Sequence, residues 1–211
     1  MKNKQRLTTE VIVDVSIRMI DELGPQGFTM RKLAAELNVD PMAIYYHIPS
    51  KADLIANVLH RVLNDFEQPQ IDDSWQNMVK AICRSFRRLA RKHPGVIKIF
   101  DTHEEWVQGE LTILEALHLE LRRAGFSDNI VAMSARLLFS FTENFCSCEM
   151  DGWIGPATSD SLDELGSALK RGDFPVLSSL AEEVAHVDLD KEFNFGLETI
   201  INGLEVGLKS M

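Results

Sequence analysis

The chain has no run of eighteen apolar residues, and its opening stretch MKNKQRLTTE lacks the apolar segment of a secretory leader. The first absence excludes a membrane-spanning helix, and together they make the cytoplasm the expected compartment. Cysteine is scarce. Cys83, Cys146 and Cys148 are odd in number, and Cys-x-Cys on a helix suits neither a disulfide nor zinc. Reduced core thiols are the expected state; redox sensing or soft-metal binding is the alternative, and it needs a third ligand that the sequence does not obviously offer. Signatures of catalysis are missing as well: there is no glycine-rich phosphate loop, no G-x-S-x-G and no H-E-x-x-H. The six histidines, at 47, 60, 93, 103, 118 and 186, are scattered. His103-Glu104-Glu105 is the only local cluster of metal-competent side chains, and a solvated polar turn accounts for it. The expectation is therefore no enzyme, no cofactor and no resident metal.

What is present is enough apolar material, 45% of 211 residues, to bury the core of one domain or two small ones. The net charge of −10 argues against nucleic acid only until its distribution is considered. Residues 1–51 carry seven Lys/Arg against six Asp/Glu, whereas residues 52–211 carry fifteen against twenty-six. The acidity belongs to the remainder. A reader near the N-terminus can work through a few placed phosphate contacts, with modest nonspecific affinity and a shallow salt slope.

Residues 29–51, TMRKLAAELNVDPMAIYYHIPSK, organise the rest. Thr29 is placed to cap a helix whose Leu33 and Leu37 share a face, and Asn38-Val39-Asp40 interrupts that helix. Asp40 caps a second helix with Pro41 at its first position, where a missing N–H costs nothing. Ile44 turns inward beside Leu33, Leu37 and Val39. Met42, Ala43, Tyr45, Tyr46 and His47 are left outside on a helix under two turns long. Two exposed tyrosines there require a partner, and a groove in DNA is one. The arrangement is a helix-turn-helix, in which the second helix enters the major groove while the first braces it across the backbone.

At these residues the chain resembles the TetR family of bacterial repressors. The order Gly24 to Gly27, Phe28-Thr29, Leu33-Ala34, Leu37, Val39, Ile44-Tyr45-Tyr46-His47 and Lys51 follows that family's signature over roughly fifty residues. The resemblance implies that Arg31, Pro41, Met42 and Tyr45 read bases, while Thr29, Ala43, Tyr46, His47 and Lys51 hold phosphates. Arg31 is the bidentate candidate for guanine, and Met42, assisted by Pro41, offers an apolar contact to a thymine methyl.

In chain order, residues 2–6 form a basic arm that either follows DNA phosphates or is simply solvated. Thr8 or Thr9 caps a first helix in which Val11, Val15, Met19 and Leu23 recur, ending at Gly24-Pro25. Ser50-Lys51-Ala52-Asp53 has capping-box logic, and Leu54 to Phe66 make a broad apolar stripe on one continuous helix leaving the reader, its N-terminus suited to a phosphate. The domain boundary is placed at 51/52. Everything from Asp73 reads as helix. Trp75 to Leu89 is broken by His93-Pro94-Gly95, and a short helix covers Val96 to Phe100. A polar turn spans Asp101 to Glu105. Leu111, Leu114, Leu117, His118 and Leu121 mark the next helix, closed at Gly125. After Ser127, the stripe Ile130, Met133, Leu137, Phe141, Phe145 and Cys148 is expected on the most buried helix. Ser161-x-x-Glu164 reads as a capping box, and Phe174-Pro175 opens another short helix.

In the last segment, Gly196, Gly203 and Gly207 lie on one helical face beside Leu197, Ile200 and Leu204. Glycine costs a helix about 1 kcal/mol, so this face serves either as a seam between two copies, with Phe141, or as a close crossing inside one chain. The pattern from Trp75 to Leu208 also resembles TetR-type regulatory domains. In drug-binding members a Thr and a His near Thr102-His103 hold a ligand-associated magnesium, but the flanking residues depart from that pattern. An effector pocket is expected from Phe86, Phe100, Trp106, Phe141, Asn144 and Phe145, where polar groups inside an aromatic shell would orient a ligand; a plain aromatic core is the alternative. The fold expected is all-α: an N-terminal three-helix reader and a C-terminal helical ligand-binding and dimerisation bundle. The function implied is a homodimeric repressor of a double-stranded operator, released by an apolar or amphipathic small molecule, with no membrane. A helical adaptor or ligand-binding protein without operator-specific binding is the alternative, and it leaves Tyr45, Tyr46, His47 and Lys51 without a role.

Overall fold

The computed structural model describes residues 6–70, 74–100, 108–155 and 159–209. Among them are twelve helices and no strand: α1 (Thr9–Gly27), α2 (Met30–Leu37), α3 (Pro41–His47), α4 (Lys51–Leu63), α5 (Trp75–Lys92), α6 (Pro94–Phe100), α7 (Gln108–Arg123), α8 (Asp128–Met150), α9 (Ser159–Arg171), α10 (Pro175–Ser179), α11 (Ala181–Ala185) and α12 (Leu189–Lys209). They form two compact units, Met1–Ala135 and Arg136–Met211, so the division by packing falls inside α8.

Local chemistry starts most of the early helices. The Thr8, Ser50 and Ser74 hydroxyls accept from the amides of Val11, Asp53 and Asn77, filling donors that a helix's first turn leaves open. Ser50 also donates its hydroxyl to the Asp53 carboxylate at 2.7 Å, so the pair expected as a capping box meets side chain to side chain at the head of α4. In the second unit the Asp188 carboxylate accepts from Asp190 and Lys191 at the head of α12. The Lys191 amide is the main reason its pKa lies below the ordinary aspartate range.

In the first unit, α1 packs on α6, α4 and α2. Its buried side chains are Ile12, Val13, Ser16, Met19 and Ile20. The expected stripe Val11, Val15, Met19 and Leu23 is thus turned by about one residue, and Leu23 is exposed beside Gly24, whose φ of 70° kinks the helix before a last turn through Pro25. With neighbours on several sides, α1 buries a broader face than a single stripe. Helix α4 ends at Leu63, short of the expected continuation, and Phe66 is buried from the turn that follows. Helices α5 and α7 pack together, with Met78, Val79, Ile82, Phe86 and Leu89 on one, and Ile113, Leu117 and Leu121 on the other. Leu111 is exposed and Leu114 half-buried, so α7 too is rotated from its expected face. Trp75 meets Phe126 edge-on at 5.3 Å. The expected polar turn at 101–105 lies outside the described residues, as do Thr102, His103 and Trp106.

Helix α8 corrects the largest expectation. Met133 and Leu137 are 49% and 51% exposed, while Val131, Ser134, Ala135, Leu138, Thr142 and Cys146 are the buried positions. The helix is apolar on two sides, and the weaker-looking side is the one its own chain covers. In the second unit Phe141, Phe145 and Phe193 form one ring cluster, with centroids 5.2–5.9 Å apart, around buried Leu197 and Ile201. Helix α9 begins at Ser159, two residues before the expected cap position Ser161.

Candidate nucleic-acid interface

The Thr29 hydroxyl accepts from the Lys32 amide at 3.2 Å and starts α2. That helix buries Met30, Leu33 and Ala34. Asn38 ends it in the left-handed region, φ 54° and ψ 47°, with its N–H shared between the Ala34 and Ala35 carbonyls. Val39 donates to the Ala34 carbonyl at 3.0 Å, which makes the turn tight enough for a new helix two residues later. There the Asp40 carboxylate accepts from the Met42 amide at 2.8 Å and Pro41 occupies the first helical position.

Ile44 is 0% exposed and pins α3 to the core, with Ile48 buried one turn on. Around that pin Met42 is 72% exposed and Tyr46 89% exposed, and Tyr45 is exposed to a lesser extent. Pro41, Thr29, Arg31 and Lys51 are exposed; Ala43 and His47 are half-buried. Every expected base-reading or phosphate-holding residue therefore keeps some accessible surface on α2, α3 or the head of α4. Tyr46 and His47 meet edge to face at 5.6 Å. The Lys51 ammonium lies 5.9 Å over the Phe28 ring, at the outer limit of a cation–π contact, in the first turn of α4.

Three supports were not legible in the sequence. Arg18 on α1 pairs with Glu36 on α2 at 2.6 Å, bracing the two helices. Lys32 Nζ donates to the Gly27 carbonyl at 2.8 Å and holds the joint before α2. Glu10, at the head of α1, has its carboxyl held below the usual range, chiefly by the Thr8 hydroxyl. The first two join residues through side-chain reach that no short motif encodes.

The other expected residues separate. Phe86 is 1% exposed in the core of α5. The Phe100 side chain and Trp106 lie outside the described residues. Phe141, Asn144 and Phe145 do come together, with Leu137, Ser140, Cys148, Ile154 and Ile200, but along an open groove of roughly 570 Å³ and not in an enclosed cavity. Cys148 is accordingly no core thiol: it is half-buried there, its Sγ 3.7 Å from Asn144 Oδ1, whereas Cys83 and Cys146 are buried. Of the expected seam, Leu197 is 0% exposed and belongs to the chain's own core, because α12 turns it inward with Phe193 and Ile201. Gly196 lies against the Phe141 ring, while added side chains at Gly203 and Gly207 would meet open space. The three glycines thus do two jobs. No group of three metal-competent side chains occurs among the described residues.

Comparison with known proteins agrees with this geometry. The family model described as bacterial regulatory proteins, tetR family, matches residues 12–58, and that of the tetracyclin repressor-like C-terminal domain matches residues 68–208. The HTH-type transcriptional repressor DrrR1 of Streptomyces coeruleorubidus is 27% identical over 96% of this chain and 79% of its own. The class D tetracycline repressor protein of Escherichia coli is 25% identical over 98% and 93%. Apo ActR from Streptomyces coelicolor superposes with a TM-score of 0.81 at 28% identity, covering 97% of each chain. ActR in complex with actinorhodin gives 0.79 at 29% identity, covering 96% of this chain and 98% of its own. With the reader in the matched N-terminal segment and a helical body in the matched C-terminal one, the chain belongs to the TetR family and is a DNA-binding transcriptional repressor of the ligand-responsive type.

Proposed function

We propose that two copies of the chain pair through the outward sides of α8 and α12, read a palindromic double-stranded operator, and leave it when a small molecule occupies the C-terminal body. The observation that carries the reading is α3 itself: Met42 and Tyr46 are 72% and 89% exposed on a helix capped at its start and pinned only by Ile44. Side chains that apolar are left in water on so short a helix because a groove receives them. Arg31, Pro41, Met42 and Tyr45 read bases, and Thr29, Ala43, Tyr46, His47 and Lys51 hold phosphates. Residues 1–51 act as the reader and residues 52–211 as the regulatory and dimerisation body. The protein works in the cytoplasm, where its operator is.

Pairing is typical of the family, and it is supported here by apolar surface: Leu137 is 51% exposed and Val206 66% exposed, beside open Gly203 and Gly207 and half-buried Leu204 and Ile200. A two-fold pair presents the same patch twice and supplies two readers for two half-sites. Because Phe141, Asn144, Phe145 and Ile200 line one open groove, that groove belongs with the pairing surface. The effector is an apolar or amphipathic small molecule; that the body takes a small molecule is supported by the structures of the similar protein ActR in complex with actinorhodin and with (S)-DNPA. To move the pair from 99:1 to 1:99 in favour of release it must prefer the DNA-incompetent form by about 5.5 kcal/mol.

The test is a gel shift with the DNA upstream of the protein's own gene, beside sedimentation of wild type and Gly203→Leu. Binding of a two-fold site by a dimer, with a monomeric but folded Gly203→Leu, is expected. A chain that binds that DNA no better than random duplex, or a Gly203→Leu variant that stays dimeric, contradicts the reading. Small apolar or amphipathic compounds that raise the melting temperature should also lower operator affinity.

A further inference from the structure

We infer that Asp21 is a positioning residue for DNA binding: it locks the reader's first helix onto α6, so that α1 and α6 move as one piece. It touches no DNA in the proposed arrangement, and the inference rests on the paired reading above. One carboxylate oxygen of Asp21 accepts from the amides of Gly95 at 2.9 Å and Val96 at 3.1 Å, which are open donors in the first turn of α6. The other oxygen lies 2.9 Å from Nδ1 of His93, and since a carboxylate only accepts, Nδ1 carries the hydrogen. The His93 and Asp21 side chains are only 14% and 18% exposed. A single side chain of the reader therefore gathers three donors from one short stretch of the body more than seventy residues along the chain.

The main chains meet at the same place. A Cβ added to Gly95 would overlap the carbonyl oxygen of Ile20 and crowd the Cα of Asp21, so α6 lies backbone to backbone on α1. Ile20 and Val96 are 0% exposed, and Ile97 2% exposed, beside this crossing. Helix α1 packs more extensively on α6 than α4 does. By contrast, the polar tie from the end of α4 to α5, in which Arg61 and Lys92 share Asp65, has its cations 53% and 60% exposed. Surface ion pairs yield readily, whereas separating α6 from α1 must break three hydrogen bonds to one largely shielded carboxylate together with the apolar packing around them. A displacement of α6 accordingly takes α1 with it.

The orientation of a reader matters when two of them must reach two half-sites at once, because fixed geometry raises the effective concentration of the second reader at its half-site. A single half-site makes no such demand. Full-length wild type, Asp21→Ala and Gly95→Ala are titrated at one salt concentration against a duplex carrying both half-sites of a wild-type-selected site, and against one carrying a single half-site. Both variants should lose about tenfold of the preference for the double site, with half-site affinity unchanged and the circular dichroism melt still cooperative. If Asp21→Ala does not fold, Asp21→Asn takes its place, keeping an oxygen for the two amides while removing the charge that faces His93. A folded variant pair with wild-type preference overturns the inference, and so does equal loss on both duplexes, which marks a damaged reader. Wild type without any preference for the double site removes the paired reading and this inference with it.

Discussion

Phe141 on α8 lies stacked against Phe193 on α12, ring centroids 5.7 Å apart and planes 22° from parallel, and the far edge of the same ring closes over Gly196. A methyl at Gly196 would come within 2.5 Å of that ring. The ring is held by Phe145 as well as Phe193, so it can yield only by loosening the cluster. Ala gains about 1 kcal/mol over Gly in a helix, and overpacking costs roughly 1–3 kcal/mol. Gly196→Ala should therefore lower the stability of the folded chain. Gly203→Ala, whose methyl meets open space, should raise it under conditions where the chain is monomeric. Chemical denaturation of the two variants checks the opposite signs, and two shifts of the same sign would refute the assignment of these glycines to different jobs.

Asn38 should accept glycine but not valine. Its φ of 54° is left-handed, and the N–H it donates to Ala34 and Ala35 ends α2. A β-branched side chain there costs roughly 1–2 kcal/mol of backbone strain, and Asn38→Gly stays within about 0.5 kcal/mol of wild type. Unfolding midpoints test this, and Asn38→Val should also bind the operator more weakly because the turn sets the angle of α3.

Exposed Arg31 and exposed Lys51 should separate by what they read. Arg31→Ala should cost about 1–3 kcal/mol on the operator and relax one base position. Lys51→Ala should weaken operator and random DNA alike and reduce the salt slope by about one. Binding of both variants across a salt series decides; an Arg31→Ala loss of equal size on random DNA would show that the guanidinium holds phosphate and reads no base.

Acid should release a tie between α4 and α5. The Asp65 carboxyl is held below its ordinary pKa of 3.8, first by Lys92 at 2.8 Å and then by Arg61 at 2.8 Å. A lowered folded-state pKa means the contribution is complete above the ordinary value and is lost as the pH falls through the folded one. Asp65→Asn should be less stable than wild type by about 0.5 kcal/mol near neutral pH, a figure kept small by solvent around all three groups. The gap should close only below 3.8. A gap already closing near pH 6 would assign the acid sensitivity to other groups.

The sequence alone determined the things that act over a few residues. Thr8, Thr29, Asp40 and Ser50 each sit two or three positions from the amide they cap, so the starts of α1 to α4 and the turn at Asn38 could be placed from local chemistry. Ile44 as the pin of α3, and Met42 and Tyr46 as its exposed side chains, followed from helical spacing in so short a helix. Tertiary structure decided which side of each longer helix went dry. Leu137 is out and Leu138 in, and Leu111 is out and Ile113 in, because a helical repeat fixes where apolar side chains lie around an axis without saying which sector another helix will cover. It also decided the meeting of Asp21 with His93, Gly95 and Val96, since a carboxylate near the end of one helix carries no mark of the donors it will find seventy residues later. Those donors reach it only once α6 has laid its backbone against α1.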